Sequence, residues 1–258
     1  MIVADVWNFL EQMAPFRTQL AFDNAGLLVG SADRPVHAVG VALDATRETV
    51  ARAVEQGIDL LVTHHPVIFD PLRCVPADSV VYQLIRNNIA VISAHTNLDA
   101  AVGGVSDALA QRLGLTNVAA LALPDSEGLP PMGRVGHLDH PMDGNEFARF
   151  VARQLHTRCK FTACAAPITT VAVCGGAGAD LLEPAAACGA RAVVTGEVKH
   201  HQFLRAAELG VCLVEAGHFE TEAPVVDVLV QRLAPLCAVP VTALDQTPPA
   251  AYCTERDL

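Results

Sequence analysis

Apolar residues Ile2, Val3, Val6, Trp7, Leu10 and Met13 recur every three or four positions. That spacing predicts an amino-terminal helix with one buried stripe, ended by Pro15. Asp23-Asn24-Ala25-Gly26 reads as a turn, with both polar residues as turn formers, leading into the short apolar run Leu27 to Val29. From Val36 the period changes. Runs at 36–43 and 59–63 read as strands around a helix at 47–56, with Thr46 as its N-cap and Gly57 beyond its end. A helix at 80–87 capped by Ser79, a strand at 89–93 and a helix at about 101–113 closed by Gly114 continue the alternation. Repeated alternation of this kind predicts a mostly parallel sheet covered by helices.

Three prolines and a glycine fall between 119 and 132 and mark a boundary. Beyond it the pattern predicts strands at 134–138, 170–174, 191–195 and 211–215. Helices are expected at 146–155 with Asn145 as cap, at 180–188 and at 198–209. A helix at 222–233 and a strand at 241–244 complete the chain. The expectation is therefore an α/β protein of two lobes with mostly parallel sheets and covering helices. The first lobe would take 1–125 with 219–246 returning to it, the second 126–218, and 247–258 would form a loose tail.

Composition narrows the function classes. With 52% hydrophobic and 17% charged residues, the chain has ample core and no disorder signature. A formal charge of -11 without any basic run argues against extended nucleic-acid binding, which depends on clustered Lys and Arg. No uncharged helical run approaches ~18 residues and no basic leader precedes an apolar core, so a soluble cytoplasmic protein without a membrane segment is expected. Cysteines 74, 159, 164, 174, 188, 212, 237 and 253 show no Cys-x-x-Cys pair and irregular spacing, which predicts reduced, mostly buried thiols.

The candidate chemistry sits at predicted strand ends, where ligands gather in parallel sheets. His64 and His65 follow the strand at 59–63, and Pro66 after them ends it. A lone His-His pair is more often a hydrogen-bonded loop start. Here, however, His95, Thr96, Asn97 and Asp99 follow a second strand, and His218 and Glu222 follow a third. Asp99 alone reads as an N-cap of the helix at 101–113. His218 and Glu222 share a face if a helix has begun at His218. Together His64, His65, Asp99, His218 and Glu222 form a mixed nitrogen and oxygen set suited to Zn, Fe, Mn or Ni, and five donors with bridging carboxylates fit two divalent ions. Gly175-Gly176-Ala177-Gly178 lacks the Gly-Lys-Ser/Thr of a phosphate loop and reads as a tight strand-to-helix turn. Glu197, His200 and His201 follow a fourth strand, with one of the two histidines expected to face the cleft.

Asp23-Asn24-Ala25-Gly26-Leu27, Thr63-His64-His65-Pro66, His95-Thr96-Asn97-Leu98-Asp99, Thr195-Gly196-Glu197-Val198-Lys199-His200-His201 and Gly217-His218-Phe219-Glu220-Thr221-Glu222 resemble the successive signatures of the GTP cyclohydrolase I type 2 homologue family, the interacting-factor-three-like proteins. The resemblance spans nearly the whole chain. It implies a dinuclear metal centre between two α/β lobes, a ring-shaped homohexamer, and His64, His65, Asp99, His218 and Glu222 as the metal ligands. The family pattern has Trp where this chain has Phe22 and Asp where it has Glu215. The chain is too short for the extra middle domain of longer members.

These readings converge on a dinuclear metal-dependent hydrolase acting on a small-molecule substrate, a nucleotide or related heterocycle. Glu197 and His201 are the expected acid/base pair, on one helical face if that helix starts by Glu197. The other class of reading is a metal-binding oligomeric scaffold or regulatory protein without turnover.

Overall fold

The computed structural model of the chain describes residues 1–121 and 131–251. It divides into two compact units, Met1–Gly104 with Val225–Gln246, and Val105–Pro224. The first unit begins with α1 (Val3–Met13), β1 (Gly26–Val29), β2 (Val39–Ala42), α2 (Arg47–Glu55), β3 (Leu60–Thr63), α3 (Val80–Arg86), β4 (Ala90–Ser93) and α4 (Thr96–Ala100). The second holds α5 (Val105–Arg112), β5 (Thr116–Ala120), β6 (Arg134–Met142), α6 (Gly144–Gln154), β7 (Lys160–Phe161), β8 (Ile168–Val173), α7 (Leu182–Ala187), β9 (Ala192–Thr195), α8 (His200–Leu209), β10 (Cys212–Glu215) and α9 (His218–Glu222). The chain then returns to the first unit through α10 (Pro224–Leu233) and β11 (Val241–Ala243).

In the first unit the strand order is β1-β4-β3-β2-β11, parallel throughout except for the edge pair β1/β4. Every residue of β2, β3 and β4 is buried, which is why these runs show no polar alternation. Val50, Ala53, Val81 and Leu84 of α2 and α3 pack with Leu61 and Val91 of the sheet. The starts of these helices follow their caps as expected. Thr49 N donates to Thr46 Oγ1 at 3.1 Å and Tyr82 N to Ser79 Oγ at 3.2 Å.

In the second unit the order is β5-β6-β8-β9-β10-β7. Strands β8, β9 and β10 are parallel, and the pairs β5/β6, β6/β8 and β10/β7 are antiparallel. Its core includes Leu109 of α5 and Leu113 just beyond it, with Phe147, Val151, Val171, Val194 and Val214. Helix α5 therefore belongs to this unit, and the division falls at Gly104 instead of near residue 125; residues 122–130 of the boundary stretch lie outside the described residues, as does 252–258 of the expected tail. Strand β5 escapes the hydrophobic pattern because all five of its residues are exposed. Asp143, not Asn145, caps α6, accepting from Glu146 N at 2.9 Å.

Among the described residues no helix is long and apolar enough to cross a membrane. Cys174 and Cys212 are buried, Cys159, Cys164 and Cys237 half-buried, and Cys74 and Cys188 exposed, all as free thiols. Burial is thus less general than expected; Cys253 lies outside the described residues. Burial pushes the Cys212 thiol up to about 12 and, with Glu220 nearby, that of Cys159 up to about 11.

Candidate functional site

In the first unit the ends of β3 and β4 deliver four donor side chains. After β3 the chain keeps following β2 for two more residues: His64 N donates to Ala42 O at 3.3 Å and His65 N to Leu43 O at 3.0 Å. Thr63 Oγ1 donates forward to His65 O at 3.0 Å, closing the turn that Pro66 then terminates. The strand thus ends where both rings can share one side, and their centroids stand 4.8 Å apart. Ala94 and His95 follow β4, and the His95 ring lies 5.2 Å from that of His64 and 5.6 Å from that of His65. One ring nitrogen from each of the three histidines lies within 4.8 Å of the other two.

Asp99 is not the cap of a following helix. It lies inside α4, whose N-cap is His95, and Asp99 N donates to His95 O at 3.0 Å. That short helix aims its Oδ1 to within 3.5 Å of Nε2 of the fully buried His64. Two donors each ~2.0–2.1 Å from one tetrahedral ion are separated by about 3.3 Å, so the spacing suits shared ligation.

The second unit supplies an imidazole and a carboxylate from one helical turn. Gly217 precedes α9, which begins at His218, so His218 and Glu222 do share a face; Nε2 and Oε2 are 3.1 Å apart. A glycine after β8 and one after β9 make room for them. A Cβ on Gly176, whose φ is +60°, would stand 2.3 Å from Glu222 Oε1 and 3.2 Å from His218 Nε2. A Cβ on Gly196 would meet the His218 Cα and the Gly176 carbonyl, each at 2.7 Å. The loop seats α9, and two of its amides are already engaged: Gly176 N donates to Thr221 Oγ1 at 3.1 Å and Gly178 N to Thr195 Oγ1 at 2.9 Å.

One pattern joins the four histidines. Each has an acceptor on Nδ1: Ala94 O for His64 at 2.9 Å, Asp44 Oδ1 for His65 at 2.7 Å, Asp23 Oδ1 for His95 at 2.9 Å and Glu197 Oε1 for His218 at 2.8 Å. A carbonyl or carboxylate only accepts, so these partners assign the proton of each neutral ring to Nδ1 and the lone pair to Nε2. Histidines that hold metals show this arrangement, the rear acceptor fixing orientation and raising basicity. The donor sets therefore fit divalent metal ions.

Sequence reasoning missed Asp23 and Asp44, and it gave Glu197 an acid/base role without its contact to His218. Asp23 reads as a turn former, yet its carboxylate is shielded and accepts from His95 Nδ1, Thr96 N and Thr96 Oγ1. Burial alone would raise its pKa, but the hydrogen bonds from His95 and Thr96 win and hold it at about 2. The signal was Asp-Asn-Ala-Gly paired with His-Thr-Asn, which no local rule links across 72 residues.

The expected acid/base pair is not brought together as argued. Helix α8 starts at His200, with Lys199 as N-cap and Lys199 N donating to Gln202 Oε1 at 2.8 Å. Glu197 precedes the helix and so shares no helical face with His201; it engages His218, while His200 and His201 are exposed.

Two α/β units carrying imidazole and carboxylate donors at the ends of their strands define the class of protein as a two-unit α/β chain whose His, Asp and Glu clusters could hold metal. It belongs to the Duf34/NIF3 (NGG1p interacting factor 3) family, whose profile matches residues 1–249. It is 32% identical over 239 residues to a GTP cyclohydrolase 1 type 2 homolog of Clostridium acetobutylicum, covering 90% of this chain and 89% of that one. It is 38% identical over 234 residues to the homolog of Streptomyces coelicolor, at 86% and 82% coverage. Among solved structures it resembles a hypothetical protein of Staphylococcus aureus, with a TM-score of 0.91 and 27% identity over 98% of this chain and 99% of that one. Reduced HcgD from Methanocaldococcus jannaschii matches with a TM-score of 0.79 and 29% identity, at 95% and 98% coverage.

Proposed function

We propose that the chain is a metal-dependent hydrolase acting on a nucleotide or related nitrogen heterocycle. His64, His65 and Asp99 of the first unit and His218 and Glu222 of the second would hold two divalent ions of the Zn, Fe, Mn or Ni type. The observation that carries this reading is the acceptor behind Nδ1 of each histidine, which prepares Nε2 as a donor. Bound ions supply Lewis acidity and lower the pKa of water toward neutrality. The protein's own part is to orient its donors and to manage protons. Asp44 holds His65 and Glu197 holds His218, and the exposed Glu197 carboxylate would also serve as the base toward a water. His201, exposed on the first turn of α8, shares no helical face with Glu197, and the proton role proposed here rests on Glu197. The names of the relatives, GTP cyclohydrolase 1 type 2 homolog, support a heterocyclic substrate. We place the chain in a ring-shaped homohexamer, supported by the motif resemblance and by exposed apolar side chains such as Val102, Ile85 and Leu204.

Metal analysis together with a nucleotide panel tests the reading. Up to two ions per chain, lost in His64→Ala plus Asp99→Ala, and turnover that returns with restored metal are expected. Unchanged metal in the double variant overturns the ligand set. Full metal with no turnover across the panel overturns the hydrolase and leaves a metal-binding scaffold.

A further inference from the structure

Two large aromatic side chains stand out of the first unit where its histidines emerge. Phe22 is 64% exposed and Phe69 46% exposed, and their ring centroids are 6.3 Å apart. Phe69 in turn meets the His95 ring edge-to-face at 6.2 Å. Five rings thus form one continuous series, from Phe22 through Phe69 and His95 to His65 and the buried His64.

A single exposed aromatic is ordinary. These two are different because polar bonds pin the loops that carry them. Asn24, two residues after Phe22, donates from Nδ2 to the carbonyl of Ile68, the residue before Phe69, at 2.7 Å. Asp23, the residue after Phe22, is anchored by His95 and Thr96, and Leu20 N donates to Thr96 Oγ1 at 2.9 Å. On the other loop, Val67 and Ile68 pack on the core while Phe69 does not. The Asp-Asn pair therefore stitches both loops to the histidine cluster and keeps two rings in water beside it. Both rings nevertheless keep a large part of their apolar surface exposed, Phe22 the most.

We infer that Phe22 and Phe69 form an aromatic wall that stacks the planar ring of the substrate beside His95. This deepens the hydrolase reading and rests on it for the nature of the substrate. An aromatic face accepts any flat heterocycle, so the wall selects for a ring and not for one particular base. Its position in line with His95, His65 and His64 makes a ring stacked there a neighbour of the metal donors.

The test uses metal-loaded protein and guanosine, which has a ring and no phosphate, with ribose as the ring-free control. Phe22→Leu plus Phe69→Leu keeps apolar bulk and removes both aromatic faces. It is expected to weaken guanosine binding about 5- to 150-fold, equivalent to ~1–3 kcal/mol for one base–aromatic stack. Metal content should stay unchanged, and Phe69→Tyr should retain binding. Equal guanosine binding by wild type and the double Leu variant overturns the wall and leaves the hydrolase reading standing. So does turnover of a substrate by a wild type that binds no guanosine. Guanosine binding lost in the Leu variant, with no turnover on any nucleotide, supports the wall and overturns the hydrolase. A lower particle mass of the Leu variant in light scattering assigns the two rings to a contact between copies of the chain and overturns the wall.

Discussion

Glu197 Oε1 accepts from His218 Nδ1 at 2.8 Å, from a position two residues past the end of β9 and outside any helix. Its carboxylate is exposed, so its removal costs the fold little while it frees the imidazole to rotate. Glu197→Ala is expected to bind metal about 10- to 100-fold more weakly, as for other partners behind metal-holding histidines, with an unchanged circular dichroism spectrum. Glu197→Gln, which keeps an oxygen acceptor but not the charge, should fall between. Chelator competition measures both, and wild-type affinity in Glu197→Ala would remove the carboxylate from the site.

Asp23 ties acidity to the stability of the first unit. Its carboxyl is held at about 2 against an ordinary 3.8. Stability from this group is fully present above the unfolded value and is lost as pH falls from about 4 through about 2. Asp23→Asn should therefore destabilise the first unit by about 2 kcal/mol at neutral pH and converge with wild type near the acid end of that window. Urea titrations at pH 7 and pH 3 give the comparison. A penalty of equal size at both would exclude the charge as its source.

Gly176→Ala should perturb the donor pair of the second unit by steric means. The added methyl would overlap Glu222 Oε1 and sits on a backbone with φ of +60°. Reduced metal uptake is expected together with a backbone cost of ~1–2 kcal/mol. Gly57→Ala is the control. Its φ is +67° but nothing lies within 4 Å, so it should lose a similar amount of stability and no metal.

Chelation should leave both units folded, since each has an apolar core independent of any metal, such as Leu61, Leu84 and Val91 in the first and Phe147, Val171 and Val214 in the second. A far-ultraviolet spectrum that survives excess chelator is the expected result. Collapse to a coil, as for a zinc finger, would contradict it.

Light scattering of the purified chain at micromolar concentration should report a closed oligomer of six copies. A monomer under those conditions would overturn the assembly proposal.

Much of the fold was legible because its strands are short, fully buried apolar runs punctuated by glycine and capped helices. Residues 39–42, 60–63 and 90–93 declare themselves by unbroken burial, and Thr46 and Ser79 by their cap chemistry. Strand β5 did not, since Thr116 to Ala120 gains hydrogen bonds without gaining cover. Residue types at strand ends pointed to the histidines and carboxylates. Asp23 and Asp44 stayed hidden because they look like loop residues until tertiary structure brings each to a ring nitrogen, and Glu197, although singled out, showed no sign of its pairing with His218. Helix α8 starts two residues later than the sequence pattern predicts, which removes the helical face that Glu197 and His201 were expected to share.

The four rear acceptors are not equivalent as targets for redesign. Asp44, Asp23 and Glu197 are side chains, so the basicity of His65, His95 and His218 can be tuned one ring at a time by substitution. The partner of His64 is the main-chain carbonyl of Ala94, which no substitution deletes. His64 is thereby the invariant reference of the group. If the cluster holds an ion, its preference can be shifted only through the neighbours, around a donor whose tautomer is written into the backbone.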